Sequence, residues 1–281
     1  MSAVVLTPLG VPTHIPQGVP VPPLEADCVR PDAFAALSES EIAGLPVRWG
    51  KEALHLGDFF EVHGGRAAEV RIAGDAARVH RLGAGMQGGT LLVEGDVGAH
   101  AGAGMTGGEL RVEGSAGDFA GAELRGGLLE VRGRAGDFAG GAYAGSARGM
   151  TGGVAVVRGG AGAFAGERMR RGFLVVGGDV GDQAGLGMIA GTLLVLGSAG
   201  RRPGAGLKRG SIVLHGPTRL LPTYRYACTC TPPFLALYDA VLRRHWADGF
   251  GRFTGARYRR YTGDYAELGK GEILVWAETP A

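Results

Sequence analysis

A glycine recurs every nineteen residues through the middle of this chain, and that spacing admits few folds. Units open at Gly89, Gly108, Gly127, Gly153, Gly172, Gly191 and Gly210, in steps of 19, 19, 26, 19, 19 and 19 residues. The long step contains a 7-residue insertion at Gly141–Ala147. A fixed period of this size marks a stack of like units, each burying its apolar face against its neighbours. Glycine makes up 54 of the 281 residues, a density at which no helical repeat would survive.

Numbered from its opening glycine, each unit repeats a pattern. Position 3 is Leu91, Leu110, Leu129, Ala155, Leu174, Leu193 and Ile212; position 5 is valine in every unit but the last, where it is Leu214. Two apolar columns two residues apart specify one inward-facing strand per unit. Position 7 is always glycine, read as a corner that needs positive φ. A second short strand is expected at positions 9 to 12, with Phe119, Phe138 and Phe164 stacked inside the rod and His100 continuing them. Position 17 (Met86, Met105, Leu124, Met150, Met169, Met188, Leu207) supplies a third apolar column, read as packing.

The sequence thus predicts an all-β fold: a single-stranded right-handed parallel β-helix with ~19-residue coils, a short N-terminal extension and a C-terminal helical cap. The divisions fall at 1–55, 56–216 and 217–281. Seven prolines in the first 31 residues imply an extended start, and Ser38-x-x-Glu41 reads as a capping box opening a short helix. Thr231–Pro232 starts a later helix with one apolar face to about Trp246, and "GKGEILVWAE" reads as a strand. Position 4 is apolar in the later units (Val156, Val175, Leu194, Val213), so an outer face there needs covering. The C-terminal helix is expected to cover part of it and a partner subunit the rest.

A net charge of +2 gives no bulk affinity for nucleic acid or membrane, and no run reaches the ~20 apolar residues of a membrane span. The first residues lack the pattern of a signal peptide. Three cysteines, Cys28, Cys228 and Cys230, argue against a disulfide framework and for the cytoplasm. Cys228 and Cys230 form C-x-C with no second pair to complete a metal site, and are read as small buried strand residues. No histidine spacing matches a metal or triad signature. Asp118, Asp137 and Asp182 share position 11, where like carboxylates would raise each other's pKa unless the corner is solvated. One constellation points to binding. Arg125, Arg170 and Lys208 share position 18, Arg171 and Arg209 share position 19, and Arg168 sits at position 16. Stacking places them along one edge, where either nearby acids such as Glu123 and Glu167 or an external anion must offset their repulsion.

The G-x-G corners (Gly102-x-Gly104, Gly185-x-Gly187, Gly204-x-Gly206) and the "GMTGG" phrase resemble the GXGXG β-helix over residues 60–216. That domain closes the large glutamate synthase subunit and forms the C subunit of formylmethanofuran dehydrogenase. The free-standing length, "PLEADCVRPDAFAALSESEIAGLPV" and "YRRYTGDYAELGKGEILV" resemble the dehydrogenase C subunit more closely. The resemblance implies a non-catalytic scaffold beside the A, B and D subunits. It implies either a tungsten- or molybdenum-dependent dehydrogenase or the bacterial formyltransferase/hydrolase complex, which moves a formyl group from tetrahydromethanopterin to a methanofuran-like carrier and releases formate. The arginine- and alanine-rich composition favours the bacterial form. No prosthetic group is implied on this chain, and the six basic residues become candidates to guide the glutamate tail of the carrier. A reading from another class is a stand-alone β-helix acyltransferase, although the hexapeptide period of those enzymes is absent here.

Overall fold

The computed structural model describes residues 3–9, 21–246 and 255–278. Pro12, His14, Pro16 and Pro20 of the proline-rich start lie outside the described residues. The strands are β1 (Val4–Pro8), β2 (Leu24–Glu25), β3 (Pro46–Trp49), β4 (Glu52–His55), β5 (Phe60–His63), β6 (Glu69–Ile72), β7 (Val79–His80), β8 (Thr90–Val93) and β9 (Glu109–Val112). Next come β10 (Leu128–Val131), β11 (Thr151–Val157), β12 (Arg171–Val176), β13 (Thr192–Val195), β14 (Arg209–Leu214), β15 (Arg225–Cys230), β16 (Arg257–Gly263) and β17 (Lys270–Glu278). The helices are α1 (Pro31–Phe34), α2 (Glu39–Ala43) and α3 (Leu235–His245). The fold is all-β, dominated by one mixed sheet of 13 strands in the order β15-β16-β17-β14-β13-β12-β11-β10-β9-β8-β6-β1-β5.

The repeat sets the register of that sheet. Thr90 pairs with Glu109, Glu109 with Leu128, Val154 with Phe173, Phe173 with Thr192 and Thr192 with Ser211, all in parallel, so each unit returns the chain beside its predecessor. The first pairing, Glu69 with Thr90, spans 21 residues and explains the degenerate look of that unit. Positions 3, 5 and 17 point inward and are buried throughout. The expected second strand is thinner than the sequence suggested. Single parallel bridges run from Ala76 through Val97, Ala116, Ala135, Ala161 and Val180 to Ala199, one residue per unit.

The position-7 glycines do not have positive φ; that conformation belongs to the opening glycines, such as Gly127 at φ 80°. Position 7 is glycine because of crowding: a Cβ on Gly95 would lie 2.7 Å from Asp75 Cα, in the backbone of the preceding unit.

The phenylalanine stack is real but lies outside the core. Phe119 and Phe138 stack at 4.8 Å, and Phe138 and Phe164 at 4.7 Å, which is the strand-to-strand step of a sheet. These residues adopt φ near 60° at a corner and remain half-buried. The core beneath that corner is filled by the next residue, Ala120, Ala139 or Ala165. A left-handed corner turns one bulky side chain out and one small side chain in, and period alone does not show which.

The ends use other devices. β1 joins the sheet between β6 and β5, so part of the extended start is an integral strand. Glu41 reaches back to the Ser38 N–H at 2.8 Å, as a capping box requires. β17 continues the stack parallel to β14, with Arg209 opposite Lys270, and β16 and β15 follow antiparallel. α3 does not plug the end of the stack but lies across the outer face. There Val156, Phe173, Val175, Leu194 and Val213 are buried with Leu235, Leu242 and Tyr258 in a second core. The chain therefore covers its own apolar face, and that face gives no ground for a partner. Glu130 closes one margin of this layer, buried and ion-paired to Arg158, whose Nη2 also donates to the His245 carbonyl at 3.1 Å.

Candidate anion-binding edge

Each unit turns outward after position 17, so positions 18 and 19 reach the surface where the strand begins, Arg171 opening β12 and Arg209 opening β14. Arg170, Arg171, Lys208 and Arg209 come together there, lining one open groove of about 460 Å³ with Ile189, Ala190, Tyr238 and Leu268. No carboxylate is paired with these four cations among the described residues. Their mutual repulsion is smaller than close stacking would give. The charged units alternate with neutral ones bearing Ile189 and Ala190, which doubles the ~4.8 Å step to roughly 10 Å, about one Debye length at 0.1 M salt. Tyr238 is fixed in the wall by a 2.8 Å bond to Thr192 Oγ1 and by stacking on Phe173 at 4.0 Å.

The other two predicted residues do not join that groove. Arg168 donates to the Ser146 carbonyl at 2.7 Å and pairs with Glu167 at 3.4 Å, so it fastens the insertion. Arg125 lies in a separate depression of about 320 Å³ with Glu123, Ser146, Arg148 and Thr151. Thr151 takes position 18 in the unit that separates Arg125 from Arg170, and its N–H bonds to the Leu124 carbonyl at 2.7 Å. The insertion shifts that unit's numbering, so the neutral gap between the two arginines is easily overlooked in the sequence. Sequence reasoning also missed Lys270, which extends the row beside Arg209. Its partner lies 61 residues away outside the period, so no repeat signal could reveal it.

The aspartates at position 11 are not a repelling ladder. Asp118 accepts from the Asp137 N–H at 2.8 Å, Asp137 from Ala163 at 2.7 Å and Asp182 from Arg201 at 2.8 Å. Each carboxylate ties its unit to the next, and the Arg201 N–H holds the Asp182 carboxyl below its ordinary pKa.

The insertion folds back onto the stack. Tyr143 packs over Phe119 at 5.2 Å and over His100 at 5.5 Å, and its hydroxyl meets His100 Nδ1 at 3.0 Å. Burial lowers the His100 pKa, and Arg81 lowers it further. The sign follows by linkage. The unfolded chain takes up a proton that folded His100 refuses, so stability falls as pH drops through the ordinary histidine range near ~6.5, and stops falling once folded His100 titrates. Urea midpoints between pH 7.5 and 5 should fall further for this chain than for His100→Phe; equal pH dependence would contradict that assignment.

Cys228 is exposed and Cys230 half-buried, so the C-x-C pair lies in a strand but not in the core; all three cysteines are free. Among the described residues no group of three or more His, Cys, Asp or Glu is arranged to hold a metal ion, and no helix is long and apolar enough to cross a membrane.

No protein-family model matches the chain. Stretches of it are similar to curated proteins. The C subunit of molybdenum-containing formylmethanofuran dehydrogenase 1 from Methanothermobacter thermautotrophicus is 45% identical over 78 residues, 27% of this chain and 20% of that protein. The C subunit of tungsten-containing formylmethanofuran dehydrogenase 2 from the same organism is 41% identical over 102 residues, 34% and 35% of the two chains. The C subunit of the formyltransferase/hydrolase complex from Methylorubrum extorquens is 40% identical over 70 residues, 25% and 26%. The matched stretches thus span 20% to 35% of these relatives. A chain in the crystal structure of the formyltransferase/hydrolase complex from Methylorubrum extorquens, solved with methylofuran, superposes with a TM-score of 0.87 at 37% identity, over 98% of this chain and 100% of that one.

Proposed function

Because the chain belongs to the family of C subunits found in formylmethanofuran dehydrogenases and formyltransferase/hydrolase complexes, we propose that it is the scaffold subunit of a bacterial formyltransferase/hydrolase complex. The observation that carries this reading is the end-to-end likeness to a chain of that complex. In it, the stack is a right-handed parallel β-helix that positions the A, B and D subunits, which hold the chemistry. The complex moves a formyl group from tetrahydromethanopterin onto a methanofuran-type carrier and hydrolyses it to formate. The three free cysteines support placing it in the cytoplasm.

Reconstitution tests the division of labour. The four-subunit complex is expected to release formate from formyl-tetrahydromethanopterin, and the isolated chain to release none. Formyl or acyl transfer by the isolated chain would favour an independent acyltransferase instead. The local likeness to molybdenum- and tungsten-containing dehydrogenases supports a second reading within the family. Molybdenum or tungsten in the purified complex would favour it.

The groove at Arg170, Arg171, Lys208 and Arg209 is the place on this chain for the carrier's glutamate tail, with Arg168 and Arg125 farther along the same edge. Exposed ion pairs contribute about 0.2–1 kcal/mol each, so replacing all four groove cations with alanine should weaken carrier binding to the complex roughly 10- to 100-fold at low salt. The difference should shrink as salt shortens the Debye length. Unchanged affinity across salt concentrations would remove the tail from this groove.

A further inference from the structure

The 13-stranded sheet ends differently on its two sides. The β5 edge is defended: α2 packs against it, and Glu61 and His63 form a 3.2 Å pair along it. The β15 edge is not. Among the described residues nothing pairs beyond β15, whose first four residues are exposed and whose six residues, "RYACTC", include neither proline nor lysine. An open edge of this kind presents a row of free N–H and C=O groups to any extended segment that reaches it. Of the six large apolar side chains left exposed among the described residues, Tyr226, Tyr265, Leu268 and Trp276 lie at this end. The charge there is one-sided. Arg225, Arg257 and Arg259 are exposed, and no carboxylate pairs with them among the described residues, whereas Arg260 is neutralised by Glu272 at 2.6 Å. Arg225 stands over the Tyr265 ring at 5.4 Å.

We propose that β15 is a docking edge that accepts an extended acidic segment of a different chain as a fourteenth strand. Main-chain bonds would supply the pairing, the arginines would select carboxylates, and the exposed aromatics would take apolar side chains at alternate positions. A second copy of this chain is a poor occupant. Antiparallel pairing of β15 with itself would bring the Arg225 end of each copy up to the Cys230 end of the other, where Arg257 and Arg259 stand on β16, so cations would gather at both ends of the seam. The occupant is taken to be another subunit of the complex, so the inference rests on the proposed function.

Amide hydrogen exchange of the isolated chain and of the assembled complex tests it. Residues 225–230 should exchange at least tenfold more slowly in the complex, with the β5 edge unchanged. Arg257→Glu/Arg259→Glu should fold normally in isolation and assemble at least tenfold more weakly at low salt. Equal exchange at β15 in the two states, in a complex that does assemble, would overturn the docking edge and leave the scaffold role standing. Protection of β15 in the isolated chain at dimeric mass would assign the edge to a second copy and overturn the proposal as stated. Failure to assemble at all would instead count against the scaffold role, and with it the occupant named here.

Discussion

Gly127→Ala should destabilise the chain by about 2–5 kcal/mol, whereas Gly104→Ala should cost about 1 kcal/mol or less. Both glycines have positive φ, at 80° and 67°. They differ in what an added methyl group meets. At Gly127 it would lie 2.6 Å from the Gly108 carbonyl oxygen and 2.8 Å from Gly107 C, both in the stacked backbone of the preceding unit. At Gly104 nothing lies within 4 Å. The first substitution forces two paired units apart; the second carries only the left-handed backbone penalty, part of which is offset by a stiffer unfolded chain. At this chain length the Gly127 variant should melt roughly 3–9 °C lower. Equal losses from the two substitutions would mean that the units do not stack this closely.

The second large effect is expected at Glu130. Its position-4 neighbours in the later units are Val156, Val175, Leu194 and Val213, all buried under α3, yet Glu130 is charged and only 4% exposed. Arg158 makes the contact that permits this, while Arg111 and Arg132 stand off at 4.0 Å. Arg158→Met would leave the carboxylate short of its main partner. The expected cost is about 3 kcal/mol, the lower end for a broken buried pair because two arginines remain near. It should also loosen α3, since Arg158 holds the His245 carbonyl, and protease should cleave beside α3 more readily. The double variant Glu130→Gln/Arg158→Met should lose much less than the sum of the single changes. Strict additivity, measured by urea unfolding, would show that the pair is not coupled.

Much of the architecture was legible in the sequence because a repeat that buries three columns leaves three periodic marks. Position 3, position 5 and the methionine column all sit where the period places them. What the period could not show was direction at the corners. Phe119 and Ala120 are adjacent and equally periodic, and only the left-handed turn decides which one faces in. Long-range pairing was invisible for the same reason. Lys270 joins the basic edge, and α3 covers Val175 and Leu194, through contacts that no local spacing records. Of the six basic residues read as one edge, Arg170, Arg171, Lys208 and Arg209 share a groove. The insertion holds Arg168 aside, because Tyr143 anchors it on the aromatic corner and Ser146 takes the Arg168 guanidinium, and the unit bearing Thr151 separates Arg125 from Arg170.

The scaffold role predicts company. An affinity tag on this chain, expressed in its own host and purified gently, should bring down the A, B and D subunits in fixed proportion, with formate-releasing activity in the captured material and none in the chain stripped from it. Recovery of this chain alone, under conditions in which the other three subunits are present and hold together without it, would contradict the account.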